Sequence, residues 1–294
     1  MEIDYDYLTG LSKDAVLYTS RKTTNILDGG YGSVYLGKSM DFHDLKDYTP
    51  GDDITSIDWK CSSRTDSILV RRSIAEKKHT VLIIGDNGIK MDADTSAGEY
   101  KADIALMTTG VINYLLGRQG ADVGFACSGP KGEIYTPFGS GGISVEKLLH
   151  TYGDMIFEKP TSDLNSLIMD SLRAFSVRRM IIFVITDITG LRTVEDKTLF
   201  RMTEKNDAYF ICIDDASVSG KRAYDRLGGY YIDGFMSGSR ALRKAEKKER
   251  DEILKRFKLD ALRNRVVFES IRSTSDVVDS IMNMFERGHR GIYG

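Results

Sequence analysis

The sequence predicts an α/β protein built on a doubly wound, mostly parallel sheet, and three observations carry that prediction. First, Val81–Ile84, Met180–Ile185 and Tyr209–Ile213 are continuous apolar runs. Such runs mark strands covered on both faces, because a strand with one wet face alternates instead. Second, segments of helical periodicity lie between the runs, and alternating strands and helices fold as a layered α/β sheet. Third, each run ends in acid: Asp86, Asp187, and the pair Asp214 and Asp215. In an open parallel sheet, ligands bind at the carboxyl ends of the strands.

Taken in order, residues 1–32 form an N-terminal helical segment, with Leu8, Leu11, Ala15 and Leu17 near one face and Gly29, Gly30 and Gly32 ending it. Residues 33–78 read as a small β-rich subdomain. Its short β signals are Ser33–Leu36 and Ile68–Arg71, and its acids and bases balance. Residues 79–294 hold the main domain. Ser96, Ala97, Gly98 and Glu99 spell a capping box that opens a helix with the stripe Ile104, Ala105, Val111, Ile112, Leu115 and Leu116. Ala121–Cys127 and Glu133–Thr136 predict a hairpin around Gly129–Gly132. A second helix starts near Ser162 with the stripe Leu164, Leu167, Ile168, Leu172 and Phe175. A charged helix at about 238–260, a strand at Val266–Phe268 and a closing helix at 275–287 complete the pattern.

Composition excludes more than it assigns. A net charge of −2 gives no general pull toward nucleic acid or an anionic membrane. Cys61, Cys127 and Cys212 are too far apart for a CxxC pair, so small structural thiols in a reducing compartment are expected. The N-terminus, Met1–Tyr7, is acidic and is followed by no apolar run, unlike a signal peptide. The longest apolar runs fall far short of the roughly twenty residues that span a bilayer. A cytoplasmic protein with no membrane partner is the expectation.

Several tempting motifs fail. Gly29–Lys38 looks like a kinase glycine loop, but Leu27 stands where its first glycine belongs and no HRD, DFG or APE follows. No GxxxxGK(S/T) phosphate loop occurs. His43, His79, His150 and His289 form no metal-ligand pairing, and no GxSxG elbow is present.

The densest segment is Tyr48–Lys60. Pro50 presets φ for the second position of a turn, and Gly51 tolerates the positive φ that a type II turn requires. Asp52 and Asp53 follow, and Ile57 and Trp59 alternate with Asp58 as in a short strand burying its apolar side chains. Arg64, Arg71 and Arg72 lie within reach in sequence. One reading is a structural clamp around a buried tryptophan. The other is a docking face presenting Asp52, Asp53, Asp58 and Trp59 to a partner.

Tyr48-x-Pro50-Gly51-Asp52-Asp53-x-x-x-Ile57-Asp58-Trp59, preceded by Gly37 and the Asp41-Phe42 pair and followed by the apolar strand before Asp86, resembles the bacterial and archaeal family catalogued as domain of unknown function 58. The resemblance covers roughly 30–290 and is strongest over 37–91. It implies a von Willebrand factor A-like, Rossmann-like main domain, a fold that often carries a metal-ion-dependent adhesion site. That site takes Asp-x-Ser-x-Ser from one loop, a hydroxyl from a second and an Asp from a third. By resemblance the set here is Asp86, Ser162 (Thr161 being the other hydroxyl) and Asp187. Gly88 and Lys90, however, stand in place of the two serines. The expectation is a degenerate site with no cofactor, in which the Lys90 ammonium neutralises Asp86, and Asp187 with it, in place of Mg²⁺. A Lys90 that points to solvent, and a Ser162 that caps its helix, are the plain alternatives.

The resemblance further implies a non-enzymatic interaction module, an adaptor or co-chaperone-like partner of a MoxR-type AAA+ ATPase acting on an unknown client. The binding face would surround Asp86, Lys90, Ser162 and Asp187, flanked by residues 50–59. Two alternatives stay open. One is a divalent-metal-dependent binder or hydrolase using Asp86, Asp187 and Asp214. The other is nucleic-acid binding through the basic helix at 240–258, which carries nine Lys/Arg against four Asp/Glu. That helix lacks the interleaved aromatics that favour single strands.

Overall fold

A computed structural model describes residues 35–36, 42–65, 67–75, 79–118, 120–156, 158, 163–216, 224–225, 230–231 and 240–293. They separate into two compact units, divided between Lys78 and His79.

In the small unit, β1 (Tyr35–Leu36), β2 (Phe42–Asp47) and β3 (Leu69–Ala75) form an antiparallel sheet in the order β1-β3-β2. Between β2 and β3 the chain makes a turn, a single 3₁₀ turn at Ile54–Ser56 and a short helix, α1 (Trp59–Ser62).

The large unit begins with β4 (Thr80–Gly85). There follow α2 (Lys101–Arg118), β5 (Asp122–Gly129), β6 (Gly132–Gly139), α3 (Gly142–Ile156) and α4 (Leu164–Ala174). Next come β7 (Ile181–Asp187), α5 (Ile188–Thr193), α6 (Asp196–Thr203) and β8 (Asp207–Ile213). A two-residue ladder joins β9 (Tyr224–Asp225) to β10 (Tyr230–Tyr231), and α7 (Arg240–Arg263), β11 (Val267–Ile271) and α8 (Val277–Tyr293) close the chain.

The main sheet runs β11-β8-β7-β4-β5-β6. Its strands are parallel except for β6, which returns antiparallel to β5 through the predicted hairpin. The mostly parallel α/β fold is therefore as the sequence predicts, with a small antiparallel sheet ahead of it. The apolar runs are continuous because both faces are covered. Leu82, Ile84, Ile182, Val184 and Phe210 share a core with Leu167 of α4, Leu199 of α6 and Phe257 of α7. On the other face Phe125 meets Tyr152 of α3, and Phe183 meets Phe285 of α8 edge-on.

Two local expectations are corrected. Ser96 does not cap a helix: its hydroxyl donates to Asp214 Oδ2 at 2.6 Å, Glu99 accepts from the Thr274 amide at 2.8 Å, and α2 begins only at Lys101. Tertiary partners outcompete the local box. The cap of α4 is Asp163, which accepts from the Ser166 amide at 2.8 Å; Ser162 lies outside the described residues, as does the whole 1–32 segment.

At the far end of α7 the chain leaves through paired bonds, Val266 N–H to Ala261 C=O and Arg265 N–H to Leu262 C=O. This is a Schellman ending. Arg265 occupies its left-handed position with φ +56°, where glycine is usual and a side chain costs on the order of 1–2 kcal/mol.

Phe183 is fully buried against Tyr209 of β8 and Phe285 of α8. Phe183→Ala is expected to lower unfolding free energy by about 3–5 kcal/mol, whereas Ile143→Ser, at an exposed position, should change it by less than about 0.5 kcal/mol. Denaturant titration of both variants checks the pair.

Candidate functional site

The site forms where β4 and β7 end side by side. The Asp86 amide donates to Ile185 C=O at 2.9 Å, so the ladder carries Asp86 to the sheet's rim before the chain turns away. Gly88 precedes one 3₁₀ turn, Ile89–Met91, and buried Met91 anchors it. The turn brings Lys90 back over Asp86. The Lys90 ammonium lies 2.8 Å from Asp86 Oδ2, the same oxygen accepts from the Thr186 hydroxyl at 2.6 Å, and Oδ1 accepts from the Gly88 amide at 3.2 Å.

Asp187 is held differently. It caps α5, taking the Gly190 amide on Oδ1 at 2.8 Å. Its Oδ2 accepts from the Lys101 ammonium at 3.1 Å, and the same ammonium donates to the Lys90 carbonyl at 3.1 Å and pairs with Asp215. The Lys101 side chain is 3% exposed, that of Lys90 22%. Two ammonium–carboxylate pairs are thus joined through one backbone carbonyl.

The supports are specific. A Cβ on Gly190 would fall 1.9 Å from Thr186 Oγ1, 2.7 Å from Asp86 Oδ2 and 3.0 Å from Lys90 Nζ, so only glycine lets α5 approach this closely. Tyr152 donates to the Asp86 carbonyl at 2.9 Å, and burial raises its pKa, which keeps that donor protonated. Asn87 is buried and tied through Nδ2 to the carbonyls of Ser128 at 2.7 Å and Met155 at 2.9 Å.

Of the predicted set, the structure brings Asp86, Lys90 and Asp187 together. Lys90 serves Asp86, while Asp187 takes its cation from Lys101, which the sequence reading missed. The third strand-end acid, Asp214, is held by other partners. It accepts from Ser96 and lies 3.1 Å from Arg250 Nη1 of the basic helix. Arg256 of that helix donates to the Arg192 carbonyl at 3.0 Å, so part of its charge faces inward, while Arg243, Lys244 and Lys247 are exposed. Cys127 and Cys212 are buried, and burial pushes the Cys127 thiol up to about 12 and the Cys212 thiol higher. Neither is a reactive thiolate at neutral pH.

The small unit holds the other predicted group. Gly51 adopts φ +109°, and the Asp52 amide donates to Thr49 C=O at 3.0 Å, closing the predicted turn. Asp52 accepts from Lys46 Nζ at 2.6 Å and from the Thr49 amide and hydroxyl, and these bonds, the lysine's first, lower its pKa from 3.8 to about 2. Asp53 caps the 3₁₀ turn through the Thr55 amide at 2.9 Å. Asp58 is bound by Arg71 Nε at 2.8 Å and by the Lys60 and Cys61 amides, and Arg71 leads in lowering its pKa to about 2. The expected short strand with a buried tryptophan is corrected here. By capping α1, Asp58 turns the chain into a helical turn, and Trp59 stands 65% exposed.

The class these features define is an α/β domain of von Willebrand A type, in which the aspartates at two strand ends face ammonium groups. The fold class stands on the strand order and on the two buried sheet faces. The family described as "Protein of unknown function DUF58" matches residues 44–215, more than half of the chain, and the protein belongs to that family. Uncharacterized proteins of Mycobacterium bovis (Mb1516) and Mycobacterium tuberculosis (Rv1480) are 25% identical over 191 residues. The match covers 64% of this chain and 60% of theirs, so the chain spans about three fifths of the length of these curated relatives. Among solved structures, similar chains include a von Willebrand factor type A protein from Catenulispora acidiphila at 12% identity and TM-score 0.38, covering 76% of this chain and 44% of that one. An aerotolerance-related membrane protein from Bacteroides fragilis is similar at 14% and 0.42, covering 71% and 99%. The SpRpn10 VWA domain is similar at 13% and 0.40, covering 69% and 95%. Among the described residues, no helix is long and apolar enough to cross a membrane.

Two outcomes follow from the charges. Lys101→Met strands Asp187 and Asp215 without their cation and should cost about 3–5 kcal/mol in denaturant unfolding, as expected for breaking a buried pair. Lys90→Met, at a pair whose ammonium keeps partial access to water, should cost clearly less. In the small unit, both carboxylates have folded pKa values below the unfolded one. Their stabilisation is therefore full above about pH 4 and is lost as pH falls toward 2. Unfolding followed by the fluorescence of Trp59, the single tryptophan, should show that loss, and Arg71→Ala should reduce it.

Proposed function

We propose that this protein is a non-enzymatic interaction module, an adaptor or co-chaperone-like partner of a MoxR-type AAA+ ATPase, with a degenerate metal-ion-dependent adhesion site. The observation that carries the reading is the pair of ammonium groups. Lys90 Nζ sits 2.8 Å from Asp86 and Lys101 Nζ 3.1 Å from Asp187, on the two carboxylates that would hold a divalent ion. A cation entering there must displace a fixed positive charge and shed its own water, which Mg²⁺ does reluctantly. The residues present therefore do not fit a resident metal, and no step of chemistry is assigned to one. The rim instead presents a fixed surface.

The small unit supports a docking role in its own right. Trp59 and Ile54 are exposed, and aromatic anchors of this kind dominate binding energy at protein interfaces. The ATPase partner rests on the family resemblance, and the client protein is unidentified.

Two measurements test the proposal. Calorimetric titration with Mg²⁺ and with Mn²⁺ should give no saturable binding at micromolar concentrations. Saturable binding abolished by Asp86→Ala would contradict the degenerate site. Affinity capture with the full chain from native lysate should recover an AAA+ ATPase, and Trp59→Ala should weaken the purified pair by about tenfold or more. Failure to recover any such ATPase would contradict the partnership.

A further inference from the structure

At the end of the sheet opposite Asp86 and Asp187 lies a cleft of about 950 Å³, lined by the segment entering β7, by α6 and the start of β8, and by the end of α7 where it leads into β11. Its volume falls in the range of ligand sites, roughly 300–1,000 Å³. Three elements each aim an apolar side chain at it that the core does not use: Val177 (97% exposed), Phe200 (58%) and Leu262 (77%). Exposed apolar groups gathered in one concavity mark contact surfaces more than scattered ones do.

Charge selects the occupant. Five lining side chains are cationic and two are carboxylates, on a chain whose net charge is −2. Lys205 and Arg265 are exposed, and neither forms an ion pair among the described residues. Arg265 adds an independent observation. It holds the left-handed position of a Schellman ending, where glycine would sit without strain, and it lines this cleft. A strained backbone position occupied by a guanidinium is the sort of outlier from which a role is inferred.

We infer that this cleft binds a short acidic segment of a partner protein, its carboxylates on Lys205 and Arg265 and its aliphatic side chains against Val177, Phe200 and Leu262. A single-stranded nucleic acid fits less well, because successive bases need stacked aromatic platforms and Phe200 is the one exposed aromatic among the lining residues. The inference is independent of the proposed function, since neither the strand-end lysines nor Trp59 takes part.

The test uses the full chain and three fluorescein-labelled probes followed by anisotropy: a peptide of alternating glutamate and leucine, its lysine–leucine counterpart, and an oligothymidylate. The acidic peptide should bind saturably, more weakly as salt rises. Lys205→Glu and Arg265→Gly should each weaken it by about tenfold. Arg265→Gly should leave the melting temperature unchanged or higher, which separates lost binding from lost fold. The inference is overturned if the acidic peptide does not saturate, if the basic peptide or the oligothymidylate binds as tightly, or if both variants bind like the parent.

Discussion

A buried ammonium group organises the loop-bearing rim of the large unit. Lys101 Nζ meets Asp187, Asp215 and the carbonyl of Lys90 in a space with almost no access to water. An ion in such a place is tolerated only when its partners are fixed, and here three separate elements supply them. β7 ends in Asp187, β8 leads into Asp215, and the turn after β4 presents the Lys90 carbonyl. That carbonyl contact links the buried pair to the outer pair of Lys90 with Asp86. The charges do not merely cancel: they tie the loops after β4, β7 and β8 to one point.

Such a knot requires close backbone approach. Gly190 lets α5 come down onto Thr186 and Asp86, and Gly85 leaves room for the rings of Tyr152 and Phe125. Asn87 and Tyr152 then hold the β4 loop from the side of α3 and the β5–β6 hairpin. The geometry of this rim is set by its own side chains and backbone groups. The small unit, with Asp52 and Asp58 satisfied internally and Trp59 outside, follows a similar logic: charges set the backbone and leave an aromatic group free for contact.

The sheet was legible because burial on two faces leaves an unmistakable mark: Val81–Ile84, Met180–Ile185 and Tyr209–Ile213 contain no polar residue. The hairpin was legible from its glycines, and the pairing of Asp86 with Lys90 from the family resemblance, which sets Lys90 where the adhesion-site loop has a serine. Lys101 was not. A lysine opening a helix reads as a solvated side chain, and nothing local reveals that Asp187 and Asp215 converge on it from far along the chain. Ser96 and Glu99 misled for the converse reason, because a good local pattern lost to the Asp214 carboxylate and the Thr274 amide. Trp59 was misplaced because alternation with Asp58 imitates a strand, whereas the carboxylate caps a helical turn. The α3 helix went unread because its opening glycines look like loop, although Leu148, Leu149, Tyr152 and Ile156 recur at helical spacing.

The proposal of a degenerate site holds that the ammonium groups of Lys90 and Lys101, paired with Asp86 and Asp187, keep a divalent ion out. Crystals grown with manganese, measured at a wavelength where that metal scatters anomalously, test it most directly. The account predicts no anomalous peak at the rim, with the Nζ atoms of Lys90 and Lys101 on their carboxylates. A manganese peak bridging Asp86 and Asp187, with Lys90 swung out to solvent, would contradict it.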